Sequence, residues 1–211
     1  MKILALSDRV AEEIHSETLR DRYSDVDIVL GCGDLPFYYL EHAASALGAP
    51  LFYVHGNHDL PRQYFSDGRV ASSARGCTAL EDRVVRVDGI ILAGLGGSRG
   101  HTPDAIHQYT EGEMVWRMAR LAPQLGWNRL RYGRYLDILV THSPPYGIHD
   151  DVDLPHRGFK SLRWFMRTFR PRYLLHGHTH ITQHDLPRET RYHGTLVVNV
   201  CPYWVMALDD L

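Results

Sequence analysis

Five short apolar runs in this chain each end in a cluster of Gly, Asp, Asn or His, and this narrows the fold more than any other feature. Lys2 to Leu6 leads to Ser7-Asp8, Val26 to Leu30 to Gly31-Cys32-Gly33-Asp34, and Leu51 to Val54 to His55-Gly56-Asn57-His58-Asp59. Leu136 to Val140 leads to Thr141-His142, and Tyr173 to Leu175 to His176-Gly177-His178-Thr179-His180. The first three runs alternate with helix-compatible segments, Ala11 to Arg20 and Pro36 to Leu47, the latter closed by Gly48. Such alternation predicts a parallel sheet covered by helices. The polar clusters then fall at carboxyl ends of strands, where open α/β sheets bind ligands.

The remaining segments fill out one domain spanning 1–211. Val84 to Val87, Asp88-Gly89 and Ile90 to Leu95 read as a hairpin with a two-residue turn. Gly94 to Ser98 is a glycine-rich turn, equally suited to cradling a phosphate or to ending the hairpin. Met114, Val115, Met118, Leu121 and Ala122 predict a helix over about 111–125, and Phe159, Leu162, Phe165, Met166 and Phe169 one over 158–170. Lys160, Arg163, Arg167 and Arg170 fall on the other face of the second. The tail reads as strands at about 181–186, 191–200 and 203–208.

Composition sets the outer limits. At 211 residues, 44% hydrophobic and 23% charged, the chain can bury a real core and is not disordered. A formal charge of -2 gives no reason to expect a nucleic-acid or membrane partner. Residues 117–172 do hold 11 Arg and Lys against 4 Asp, but their spacing is that of a solvated helix face. Of the 23 basic residues 21 are Arg, a bias that carries no functional reading. No run approaches the ~20 apolar residues of a membrane span, and Ile3 to Leu6 is shorter than a secretory core, so a cytoplasmic protein is expected. Cys32, Cys77 and Cys201 are far apart without CxxC spacing, so neither a disulfide framework nor a thiolate zinc site can be read from them.

Histidine is the compositional excess, 14 residues against 5 Met and 3 Cys, so its spacing carries the chemistry. Simple turns do not need His at 58, 142, 178 and 180. Carboxylates, imidazoles and one amide oxygen meeting at a sheet rim suit Zn, Mn, Fe or Ni. Glycines at 33, 56 and 177 let the backbone turn so that the next side chain enters the cavity. His55, His176, His184 and His193 read as strand histidines outside the site, and Cys32 as a small core residue.

The order Asp8, Gly33-Asp34, Gly56-Asn57-His58-Asp59, His142, Gly177-His178-Thr179-His180 resembles the calcineurin-like metallophosphoesterases. The resemblance covers Asp8 to His180 and implies a four-layer αββα sandwich with two metals at the strand ends. By motif, Asp34 would bridge the metals, Asn57, His142 and His178 would complete one site, and Asp8 and His180 would belong to the other. His58 would be the general acid, oriented by Asp59, for hydrolysis of a phosphodiester or phosphomonoester by a metal-activated water. The implied substrate is a phosphorylated small molecule or nucleotide, and the implied cofactors are one or two divalent ions (Mn, Fe, Zn or Ni).

One position departs from the family. Its first motif reads Asp-x-His, and this chain reads Asp8-Arg9-Val10, so one metal site loses an imidazole and is expected to be weak. His101, His149 and His156 are candidate replacements. The loop from His149 to His156 is expected to line the substrate side, with Arg9, His149 and His156 as candidate substrate contacts. The missing imidazole also leaves open a binding or scaffold protein on the same fold, like the retromer subunit that resembles these enzymes. The intact Gly56-Asn57-His58-Asp59 argues against it.

Overall fold

A computed structural model describes residues 1–100, 105–180 and 187–208. Two sheets stack face to face. One has the strand order Tyr203–Ala207, Lys2–Leu6, Ile28–Cys32, Leu51–Val54, Thr78–Ala79; the other has Glu189–Tyr192, Thr195–Asn199, Tyr173–His176, Ile138–Thr141, Ile90–Leu95, Val84–Val87. Pairing is parallel through both centres and antiparallel at Tyr203–Ala207, Glu189–Tyr192 and Val84–Val87.

Period-two alternation sorts the strand residues into layers. Ile3, Ala5, Ile28, Leu30, Ile90, Leu92, Ile138 and Val140 fill the space between the sheets. Their neighbours Leu4, Leu6, Val29 and Tyr53 face outward, onto Phe37, Tyr39 and Leu40 of the helix Phe37–Leu47. On the far side, Ile91, Ala93, Leu95 and Leu139 meet Met114, Met118 and Leu121 of Glu111–Tyr132 and Phe165 and Met166 of Lys160–Phe169. Three apolar layers between helix, sheet, sheet and helix make the expected αββα sandwich. None of the helices described is long and apolar enough to cross a membrane.

Local chemistry explains the element ends. Gly48 closes Phe37–Leu47 in the left-handed conformation, donating its N–H to the Ala44 carbonyl. Asp88 and Gly89 both have positive φ, the signature of the tight hairpin turn. Three sequence expectations need correction, and of the two readings of Gly94 to Ser98 the turn is favoured. The helix over 11–20 is instead Leu19–Tyr23, preceded by turns. The helix starting at Glu111 runs on to Tyr132, because Leu125 and Asn128 are buried and the left-handed stop is Gly133; Val115 points to solvent. The strand over 191–200 is a hairpin broken at His193-Gly194, both at positive φ. Gly94 to Ser98 is no phosphate cradle: Gly96 N–H donates to Glu81 Oε2 (3.3 Å) and Gly97 N–H to the His55 carbonyl (2.7 Å). The expected strand over 181–186 lies outside the described residues.

Candidate metal centre

The parallel strands deliver their carboxyl ends to one rim, and the polar clusters meet there. At its centre is His142, fully buried. Its Nδ1 faces the Cys32 carbonyl at 2.8 Å, which accepts a hydrogen bond, so Nδ1 carries a proton. Its Nε2 faces Asn57 Oδ1 at 3.1 Å and Asp34 Oδ2 at 3.3 Å. A proton or a metal ion placed between them satisfies this nitrogen lone pair and both oxygens at once. Without a metal the proton takes the place: burial opposes the charged ring, yet Asp34 outweighs it and the His142 pKa is lifted to about 9.

His178 completes this group, with one ligand atom each from Asp34, His142 and His178 lying within 4.8 Å of one another. His178 Nε2 meets the Pro155 carbonyl at 2.8 Å, so it carries the proton and Nδ1 keeps the lone pair. Burial and the neighbouring His142 charge push its pKa down to about 4, leaving a neutral imidazole suited to ligation. The mix of carboxylate, amide oxygen and two imidazoles fits a divalent first-row ion.

A second group abuts the first. Ligand atoms of Asp8, His180 and Cys201 also lie within 4.8 Å of one another. The Asp8 carboxylate accepts the His178 backbone N–H (2.9 and 3.1 Å) and lies 3.6 Å from His180 Nε2. Burial raises its pKa, but His180 and His142 more than offset that, holding it near 2. Arg9 is exposed and donates to His180 Nδ1 at 3.2 Å, and Val10, at the usual imidazole position, is 37% exposed.

Three of these residues carry backbone strain. Asp8, Asp34 and His178 have φ of 64°, 56° and 65°, a region costing non-glycine residues ~1–3 kcal/mol and held by surrounding structure at functional sites. Gly33 turns the chain at a φ of 91°, as expected, whereas Gly56 and Gly177 serve clearance. A Cβ at Gly56 would collide with the Asp34 carboxylate, and one at Gly177 with Ser7 Oγ and the Asp8 carboxylate.

Placement of the other expected residues is mixed. The His58 ring is exposed at the rim, while its backbone N–H donates to Asp34 Oδ1 (2.8 Å). Asp59 does not orient that ring: its Oδ2 accepts from Gly56 N–H (2.8 Å) and Asp34 N–H (3.1 Å), and no bond to the His58 ring is found among the described residues. Burial and the nearby Asp34 charge raise the Asp59 pKa to about 6. His149 spends both nitrogens, on His176 Nε2 (3.0 Å) and Thr190 Oγ1 (2.8 Å), so it does not replace the missing ligand. The His156 ring lies tilted against that of His178, centroids 5.1 Å apart, and pairs with Asp153, and His101 lies outside the described residues. His149, Asp150, Asp151, His156, Thr179 and His180 line a cavity of about 520 Å³ beside the centre.

Sequence reasoning missed Cys201 and Asn199. Asn199 Oδ1 accepts from Cys201 N–H (3.1 Å), while its Nδ2 donates to the Thr179 carbonyl (2.7 Å), so one buried amide ties both segments together. The signal was available, since Asn199 ends a sixth apolar run, the strand Thr195–Asn199.

The family model for calcineurin-like phosphoesterases matches residues 1–182. The chain belongs to this calcineurin-like phosphoesterase family. Among solved structures, TT1561 of Thermus thermophilus is similar to it at 16% identity and a TM-score of 0.64, over 94% of this chain and 88% of that one. Another matches at 14% identity and a TM-score of 0.65, over 97% and 94%. At these identities the likeness concerns the fold. A search of curated proteins returned no match. As a family member the chain has the expected sandwich, with Asp and His groups that could hold a divalent metal.

Proposed function

We propose that this phosphoesterase hydrolyses a phosphoester at the rim formed by Asp8, Asp34, Asn57, His142, His178 and His180. The observation that carries the reading is the convergence of Asp34 Oδ2 and Asn57 Oδ1 on His142 Nε2, an arrangement in a buried place that a proton or a metal ion satisfies. Asp34, Asn57, His142 and His178 would hold one divalent ion, with Asp8 and His180 beside it. Bound there, such ions polarise a phosphoryl oxygen and acidify the attacking water.

The protein's own groups do the rest. His58, exposed at the rim with its backbone tied to Asp34, delivers a proton to the leaving oxygen. Asp59 positions the Gly56 and Asp34 amides and acts on His58 only through that loop. The His149–His156 loop walls the substrate side, and Arg9, the exposed cation beside His180, meets the negatively charged phosphoryl group. A cavity of about 520 Å³ fits a phosphorylated small molecule or nucleotide.

The test is hydrolysis of a chromogenic phosphodiester and a phosphomonoester by purified protein with added Mn²⁺. Turnover that depends on metal and collapses in His58→Ala supports the enzyme. No turnover of either ester with any of Mn²⁺, Fe²⁺, Zn²⁺ or Ni²⁺ would instead favour the binding or scaffold reading.

A further inference from the structure

The group of Asp8 and His180 lacks the imidazole that position 10 would supply, since Val10 has no donor atom and is exposed. Of the candidate histidines described, His149 is spent on His176 and Thr190, and His156 pairs with Asp153. What stands at the site is a sulfur. Cys201 is 4% exposed, and its Sγ makes no hydrogen bond among the described residues. It lies within 4.8 Å of the ligand atoms of Asp8 and His180.

Its placement is built rather than incidental. Asn199 holds the Cys201 N–H with one end and the Thr179 carbonyl, next to His180, with the other. Ser7 N–H donates to the Pro202 carbonyl at 3.0 Å, tying the segment after Cys201 to the one bearing Asp8. Two independent ties therefore bring the thiol to the same point as the carboxylate and the imidazole.

We propose that Cys201 is the third protein ligand of a metal site with Asp8 and His180, standing in for the imidazole absent at position 10. This rests on the reading of the Asp34–His142–His178 group as a metal centre. Ligation exchanges the thiol proton for the cation and releases that proton to solvent. It also places a proton on whichever His180 nitrogen is not ligated; where Nε2 binds, the exposed Arg9 side chain swings away from Nδ1. A set of one sulfur, one nitrogen and one carboxylate favours Zn²⁺ over Mn²⁺ more strongly than does the oxygen and nitrogen set of Asp34, Asn57, His142 and His178, which has no soft ligand. The two positions would then hold different ions, a thiophilic one at Cys201 and a harder one beside it.

Metal-free full-length protein titrated with Co²⁺ tests this, read by equivalents bound and by the near-ultraviolet thiolate-to-cobalt band. Two equivalents should bind, with the band growing in step with one of them. Cys201→Ser should keep the first equivalent, lose the band and bind the second more than about tenfold more weakly, since losing even an outer partner of a metal ligand costs ~10–100-fold. Val10→His in the Cys201→Ser background should recover the second equivalent without the band. Circular dichroism confirms that the variants are folded. Two equivalents with no band, one equivalent with no band, or unchanged binding in Cys201→Ser would overturn the ligand assignment alone. No cobalt bound at all would overturn the metal centre itself.

Discussion

Replacing Arg117 with Met should unfold the support beneath the Asn57–His58 loop before it touches any ligand. The Arg117 side chain is 7% exposed. It donates to Glu81 Oε2 (2.5 Å), Asp82 Oδ1 (2.7 Å) and the Gly96 carbonyl (2.7 Å), with its guanidinium 4.2 Å from the Tyr109 ring. Glu81 in turn accepts the His55 backbone N–H at 2.6 Å, just before Gly56. Breaking a buried ion pair by removing one partner costs ~3–5 kcal/mol. Glu81 is 24% exposed and keeps two backbone donors, so the lower end applies, about 3 kcal/mol, a hundredfold or more in the folded-to-unfolded ratio. Burial raises the Glu81 pKa, but His55 and Arg117 outweigh it and hold the carboxyl below its ordinary range. A depressed carboxylate stabilises above its unfolded pKa, near ~4.3, and that stability is lost as pH falls through the folded value. In Arg117→Met the carboxyl protonates more readily, so the gap between wild type and variant should narrow toward acid. Urea unfolding followed by tryptophan fluorescence from pH 7 to about pH 4 measures this. A difference below ~1 kcal/mol at pH 7, or one independent of pH, would refute the reasoning. The double variant Glu81→Gln/Arg117→Met should recover part of the loss, because the Glu81 charge is gone and Asp82 keeps Arg120 at 3.4 Å.

His58→Ala should retain metal and lose ~10²–10⁴ in kcat, least on substrates with acidic leaving groups; equal losses across leaving groups in steady-state kinetics would remove the general-acid role. Gly177→Ala forces a methyl group onto Ser7 and Asp8, so it should cost ~1–3 kcal/mol in urea unfolding and reduce the metal retained on dialysis. Paired Ala substitutions at His149 and His156 should raise KM or shift substrate preference with the fold intact, and unchanged kinetics on every accepted substrate would make that loop mere surface.

The alternation of apolar runs with helical segments makes a parallel sheet covered by helices legible in the sequence, whereas the four-layer sandwich follows only from the family resemblance. Ile3 to Leu6 is apolar throughout, so nothing in it shows that Ile3 and Ala5 face one layer while Leu4 and Leu6 face the other. The strand ends carrying Asp8, Asp34, Asn57, His142 and His178 can be read from Gly and polar residues following apolar runs. Other features depend on contacts distant in sequence. Cys201 reads as an ordinary buried thiol until Asn199 is seen holding it against the Thr179 segment. The role of Asp59 is easily misread because adjacency to His58 suggests a side-chain pair, whereas the folded loop turns its carboxylate inward to the Gly56 and Asp34 amides. The helix Glu111–Tyr132 exceeds its expected end near 125 because tertiary burial of Leu125 and Asn128 carries it on to the left-handed stop at Gly133.

The most direct test of the account is chelation and reconstitution. Protein stripped of metal should not hydrolyse a chromogenic phosphoester, and Mn²⁺ alone or with Zn²⁺ should restore turnover to wild type. Asp34→Asn, which removes the carboxylate facing His142, should stay folded, retain less metal and remain inactive after the same treatment. Full activity in the stripped protein, or in reconstituted Asp34→Asn, would contradict a metal-dependent phosphoesterase centred on these residues.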